Sequence, residues 1–207
     1  MFGKKILFLS PHPDDVEFYC GGVISKLVEN HNTVMVRTFS ICTESLPKGL
    51  DPYTLQNEFY EAMEEAGIKF SHIFDWPVRR FNEHRQDILE NLVEFNNDYK
   101  PDVVFIPSAQ DIHQDHQVIY QEGLRAFKNN NIISYEVPLN NFDSSFNLII
   151  PLERRHVDKK LKIIARYKSQ SFRPYSDPDY VVSILQYRGA YVQTKYAEAF
   201  KIIKWIG

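Results

Sequence analysis

The chain has 207 residues, a formal net charge of −3 and 43% hydrophobic residues. That length buries a core without staples and fits one domain over residues 1–207. No basic surplus suggests a phosphate-tracking nucleic-acid surface, two cysteines (Cys20 and Cys42) are too few for a disulfide framework, and no run approaches the roughly 20 apolar residues of a membrane span.

In chain order, Lys5–Leu9 is an apolar strand-like run that stops abruptly at Pro11-His12-Pro13-Asp14-Asp15. It is shorter than the roughly 7–15 apolar residues of a secretory leader, so a cytoplasmic protein without membrane insertion is expected. Val16, Cys20, Val23, Ile24, Leu27 and Val28 follow at helical spacing, and Thr33–Phe39 reads as the next strand, completing a βαβ unit. A second helix carries Leu55, Phe59, Ala62, Met63 and Ala66 on one face and stops at Gly67, which accepts the left-handed conformation past a helix end. Ser71–Asp75 is a short strand. Ile88, Leu89, Leu92, Val93 and Asn96 trace a third helix, ended by Lys100-Pro101, and Asp102–Ile106 is the continuous apolar run of a buried parallel strand. A helix follows His113 to about Lys128, and Ile132–Val137 is the next strand.

After Val137 the alternation weakens. Phe146–Pro151 reads as a strand, Leu152–Tyr167 as a helix, Phe172–Pro178 as a loop and Tyr196–Ile206 as a final strand or helix. The pattern predicts an α/β, Rossmann-like, doubly wound and mostly parallel sheet with helices on both faces and a small irregular C-terminal portion. If the strand order reverses beside the first strand, the first and fourth strands are neighbours, and their carboxyl ends share one crevice. The aromatic tail leaves room for a homo-oligomeric interface.

Those two strands deliver His and Asp to that crevice: His12, Asp14 and Asp15 from one, His113, Asp115 and His116 from the other. A catalytic zinc site typically keeps three protein ligands and an open position, a role that His12, Asp15 and His116 can fill. Fe2+, Co2+ or Mn2+ accept the same donors. Asp14 projects differently from its neighbour Asp15 and is placed as a general base toward water beside the metal. His113, one turn before His116, is a second catalytic group for the oxyanion and the leaving amine, with Asp115 holding its ring or complementing the helix dipole. Arg79, Arg80 and Asp111 are candidate substrate contacts, the arginines because a guanidinium grips phosphate or carboxylate in bidentate fashion.

These residues resemble the PIG-L/LmbE family of metal-dependent N-deacetylases. The resemblance rests on Pro11–Asp15, Gly21-Gly22 and His113-Gln-Asp-His116, with Tyr167-Lys-Ser169-Gln170 and Ala197-Glu198-Ala-Phe200 similar to later family segments. It implies zinc on His12, Asp15 and His116, Asp14 as base, His113 as helper, and an acetamido-sugar substrate, free, nucleotide-linked or part of a glycan precursor. The chain departs from the family pattern in two places. Leu55 stands where many members carry a sugar-binding arginine, and Trp76–Arg80 occupies the loop expected to hold a sugar-binding aspartate. The competing readings are an amidase for non-sugar N-acyl compounds, a non-catalytic metal-holding sugar binder, and a non-haem iron oxygenase, which the α/β pattern disfavours.

Overall fold

The computed structural model describes residues 2–206. Seven strands form one sheet in the order β3-β2-β1-β4-β5-β7-β6. β1 (Lys5–Ser10), β2 (Thr33–Thr38), β3 (Phe70–Ile73), β4 (Val103–Pro107) and β5 (Asn131–Tyr135) run parallel. β7 (Tyr196–Lys204) is antiparallel to both β5 and β6 (Leu148–Leu152), between which it lies.

The chain winds outward from β1 in one direction through β2 and β3, and in the other from β4 through β5, so β1 and β4 flank the reversal. Ile6, Leu7 and Phe8 pair in register with Val103, Val104 and Phe105. β1 reads as a buried run because both its faces are covered. α1 (Asp15–Glu29), α2 (Thr54–Ala66) and α5 (Arg154–Ile164) pack together over one face, and α3 (Arg85–Tyr99) and α4 (Gln114–Ala126) over the other. Phe8 and Phe105 are fully buried and stack with ring centroids 4.3 Å apart. Each such side chain contributes about 1.5–3 kcal/mol through burial.

Gly67 ends α2 at φ +75°, and its N–H returns to the last turn, as the sequence requires. One element is missing from the sequence reading: α6 (Pro178–Ala190), which packs against β7. Its amphipathic pattern is blurred by Tyr180, Tyr187 and Arg188, but its start is written plainly. Asp177 is the N-cap and accepts the Asp179 N–H, with Pro178 in the first turn where a missing N–H costs nothing. The last segment resolves as strand, not helix.

β7 is also tied to α1. The buried Glu198 carboxylate accepts the backbone N–H groups of Gly22 and Val23 at 2.9 and 2.7 Å and pairs with the buried Lys160 ammonium at 2.7 Å. Gly22 leaves space for this approach. A Cβ there would press on Leu152 and lie 3.0 Å from Glu198 Oε1.

Candidate metal centre and active-site cavity

The carboxyl ends of β1 and β4 open into a cavity of about 330 Å³ whose wall includes His12, Asp14, Asp15, His113 and His116, a size suited to a small molecule. The loop after β1 places His12 and Asp15; the first turn of α4 places His116.

Three donor atoms converge. His12 Nδ1 and His116 Nε2 lie 3.2 Å apart, and Asp15 Oδ2 is 3.5 Å from the first and 3.2 Å from the second. Ligands about 2.1 Å from a tetrahedral ion are separated by about 3.4 Å, so this triangle has the right size for one divalent cation. His113 also offers a ring nitrogen within 4.8 Å of those of His12 and His116.

The outer nitrogen of each triangle histidine meets a carboxylate. His12 Nε2 is 2.9 Å from Asp115 Oδ2, and His116 Nδ1 is 2.7 Å from Asp111 Oδ2. Such contacts fix the tautomer and turn the inner nitrogen toward the centre. Burial opposes charge on His116, but Asp15 and Asp111 overcome it and raise its pKa to about 10. Burial likewise opposes the Asp15 charge, and His116 and His12 still hold that carboxyl far below its usual range. The carboxylates around the two rings thus favour positive charge at this point of the cavity.

Two sequence assignments change. Asp111, expected as a substrate contact, lies wholly buried outside the cavity lining, takes the His113 N–H at 2.9 Å and meets His116. Asp115 does not hold the His113 ring through its carboxylate. That carboxylate braces His12 and accepts the backbone N–H groups of Arg79 and Phe81, fastening the loop after β3 to the site. Sequence spacing could not reveal this, since His12 and Asp115 are 103 residues apart. Asp111→Asn and Asp115→Asn are each expected to weaken metal affinity by about 10–100-fold, measured by competition with a chelating dye.

His113 is the N-cap of α4, its Nδ1 accepting the Asp115 N–H at 3.2 Å. The neutral ring therefore carries its proton on Nε2 and donates from there. Burial, with the neighbouring imidazoles, holds its pKa down at about 4, so it is neutral near pH 7, and a cation in the triangle pushes the same way.

Asp14 is distinctive. It precedes α1 at φ +87°, a left-handed conformation rare outside glycine, yet its side chain makes no capping bond. Such strain costs of order 1–3 kcal/mol and gathers at functional sites. Burial, with the negative charges of Asp15 and Glu17, pushes its carboxyl well above the ordinary range; Arg173 and His116 counter this. The strained backbone thus presents to the cavity a carboxylate that caps no helix.

Arg79 lines the cavity and faces Glu44 at 3.6 Å, whereas Arg80 is exposed and outside the cavity wall. Sequence reasoning missed Arg173, which lies in an irregular loop with no periodicity to mark it and lines the cavity with Gln170 and Tyr175. Leu55 lines it too. Cys20 and Cys42 are free and buried, and burial pushes both thiols up, leaving them unreactive.

A doubly wound α/β sheet with a His–carboxylate cluster at its reversal point is a Rossmann-like fold with its cavity where open α/β sheets bind ligands. The family model described as PIG-L, GlcNAc-PI de-N-acetylase, matches residues 7–127, and the chain belongs to that family. Similar solved structures include the conserved protein TT1542 from Thermus thermophilus, 21% identical with TM-score 0.82 over 99% of this chain and 96% of that one. The N,N'-diacetylchitobiose deacetylase from Pyrococcus horikoshii is 21% identical with TM-score 0.78, over 97% and 84%. GalB, the 4-carboxy-2-hydroxymuconate hydratase from Pseudomonas putida KT2440, is 17% identical with TM-score 0.81, over 99% and 98%. These likenesses establish the fold; a deacetylase and a hydratase on one scaffold mean that chemistry must be argued from the site.

Proposed function

We propose that the protein is a metal-dependent N-deacetylase that removes the acetyl group from an acetamido sugar or its conjugate, residues 1–207 acting as one domain. The observation that carries this reading is the compact donor triangle of His12, Asp15 and His116 beside a carboxylate, Asp14, that neither caps a helix nor belongs to the triangle. Imidazole and carboxylate donors suit zinc first and Fe2+, Co2+ or Mn2+ after it. Two unpaired cysteines are in keeping with a cytoplasmic enzyme.

A divalent cation held by these three residues supplies Lewis acidity, lowering the pKa of water and polarising a carbonyl oxygen. Asp14 takes a proton from the attacking water as its oxygen bonds to the acetamide carbon. His113 Nε2–H donates to the developing oxyanion, a role open to a neutral ring. As the C–N bond breaks, the proton held on Asp14 passes to the departing amine, giving acetate and the free amino compound. The family description and the deacetylase neighbour support this choice of bond.

Mass spectrometry for acetyl loss, across a panel of acetamido sugars and non-sugar amides, is the test. Acetate release is expected from sugars, to vanish after chelation and to return with added zinc. Turnover that survives complete metal removal, or that is confined to non-sugar amides, overturns the proposal.

A further inference from the structure

We propose that Arg173 is an anion-recognition residue of this cavity, so that the substrate carries an oxyanion, phosphate or carboxylate, in addition to its acetamide; the inference rests on the deacetylase reading for the reaction but not for the binding.

Most guanidinium groups of the chain are already matched by the fold. Arg85, Arg125, Arg154, Arg155, Arg166 and Arg188 each pair with a carboxylate. Arg37 lies between the Phe74 and Phe95 rings and donates to Asn91, away from the cavity. Arg79, at the cavity, faces Glu44. Arg173 has no carboxylate within ion-pair distance among the described residues, although it is half-buried and lines the cavity that holds Asp14 and Asp15. An unpaired, partly desolvated charge is unfavourable until an opposite charge arrives.

The group is also held ready. Its Nε donates to Gln170 Oε1 at 3.1 Å, and its Cζ lies 5.1 Å from the Phe172 ring centroid and 5.9 Å from that of Tyr175. Both contacts orient the guanidinium plane, and no side chain of the described residues takes its terminal N–H groups. A guanidinium fixed in this way loses little freedom on binding, and its fork matches two oxygens of one phosphate or carboxylate. Arg173 shares the wall of one cavity with Asp14, Asp15 and His113, so an anion bound there shares that cavity with the reacting end of the substrate.

A different role would be to keep Asp14 ionised, and kinetics separate the two. Wild type, Arg173→Gln and Arg173→Lys are compared on N-acetylglucosamine 1-phosphate, UDP-N-acetylglucosamine and N-acetylmuramic acid, and on the neutral N-acetylglucosamine and N,N'-diacetylchitobiose. Wild type is expected to favour at least one anionic compound. Arg173→Gln should shrink that preference by about 10–100-fold, chiefly through KM, as loss of a charge-assisted hydrogen bond implies, and Arg173→Lys should restore part of it. Phosphate and carboxylate compounds form separate arms and identify which oxyanion is read. An equal fall in kcat for charged and neutral substrates assigns Arg173 to Asp14 and overturns the proposal, as does a wild-type preference for neutral sugars.

Calorimetric binding of glucose 1-phosphate and glucuronic acid, with chelator present, supplies a readout free of turnover. Binding of either that weakens about tenfold in Arg173→Gln supports the anion subsite even where no acetate is released. Acetate release from neutral sugars, with neither probe binding, keeps the hydrolase and removes the subsite.

Discussion

Asp14→Asn is expected to lower kcat by about 100- to 10,000-fold while the protein keeps its full metal content, the range that a positioned general base contributes. Asparagine has nearly the shape of aspartate and tolerates a positive φ better than most residues, so the turn at φ +87° survives the change. Its side-chain amide cannot accept a proton from water. Because Asp14 makes no capping bond, α1 loses nothing. Acetate release and metal analysis on one sample check the prediction. Loss of metal would make Asp14 a ligand, and near-normal turnover would move the base to another residue.

Glu198→Ala should remove about 3–5 kcal/mol of folding stability, the usual loss when one partner of a buried ion pair is deleted and the other is stranded. Lys160, 3% exposed beside Glu198, would lose its partner, and the N–H groups of Gly22 and Val23 would lose the Glu198 acceptor. Urea unfolding measures the loss. Combining Glu198→Leu with Lys160→Met should recover the part of the loss that comes from the stranded ammonium, since apolar pairs of similar volume commonly replace buried ions without penalty, but not the part that comes from the two N–H groups. A Glu198→Ala protein as stable as wild type would mean that the N–H groups and the ammonium find water instead.

Most of the sheet was legible in the sequence because β1, β2 and β4 are buried on both faces and so appear as short apolar runs bounded by turn residues. The convergence of His12, Asp15 and His116 was legible because strand ends and a helix start place them, and those are local features. What lay beyond reach depends on residues that meet only in three dimensions. The partners of Asp111 and Asp115 are ring nitrogens chosen by the folded loops, and Arg173 joins the cavity from an irregular segment whose spacing has no period. α6 was missed for a different reason: its start signal, Asp177-Pro178, sat inside a stretch rich in turn residues and was absorbed into the loop.

The position of β7 between β5 and β6 also bears on the order in which the molecule assembles. β6 pairs with no described strand except β7, so residues 148–152 have nothing to join until residues 196–204 arrive. The parallel half of the sheet is built from βαβ units that do not need them, whereas β5, β7 and β6 are joined by pairings between distant parts of the chain, whose loop closure must precede its reward. Glu198 arrives on that late strand and only then meets the amides of α1. The helix that follows Asp14 therefore depends for its fastening on the strand that completes the sheet, and recovery of activity in refolding is expected to follow, not precede, the pairing of β6 with β7.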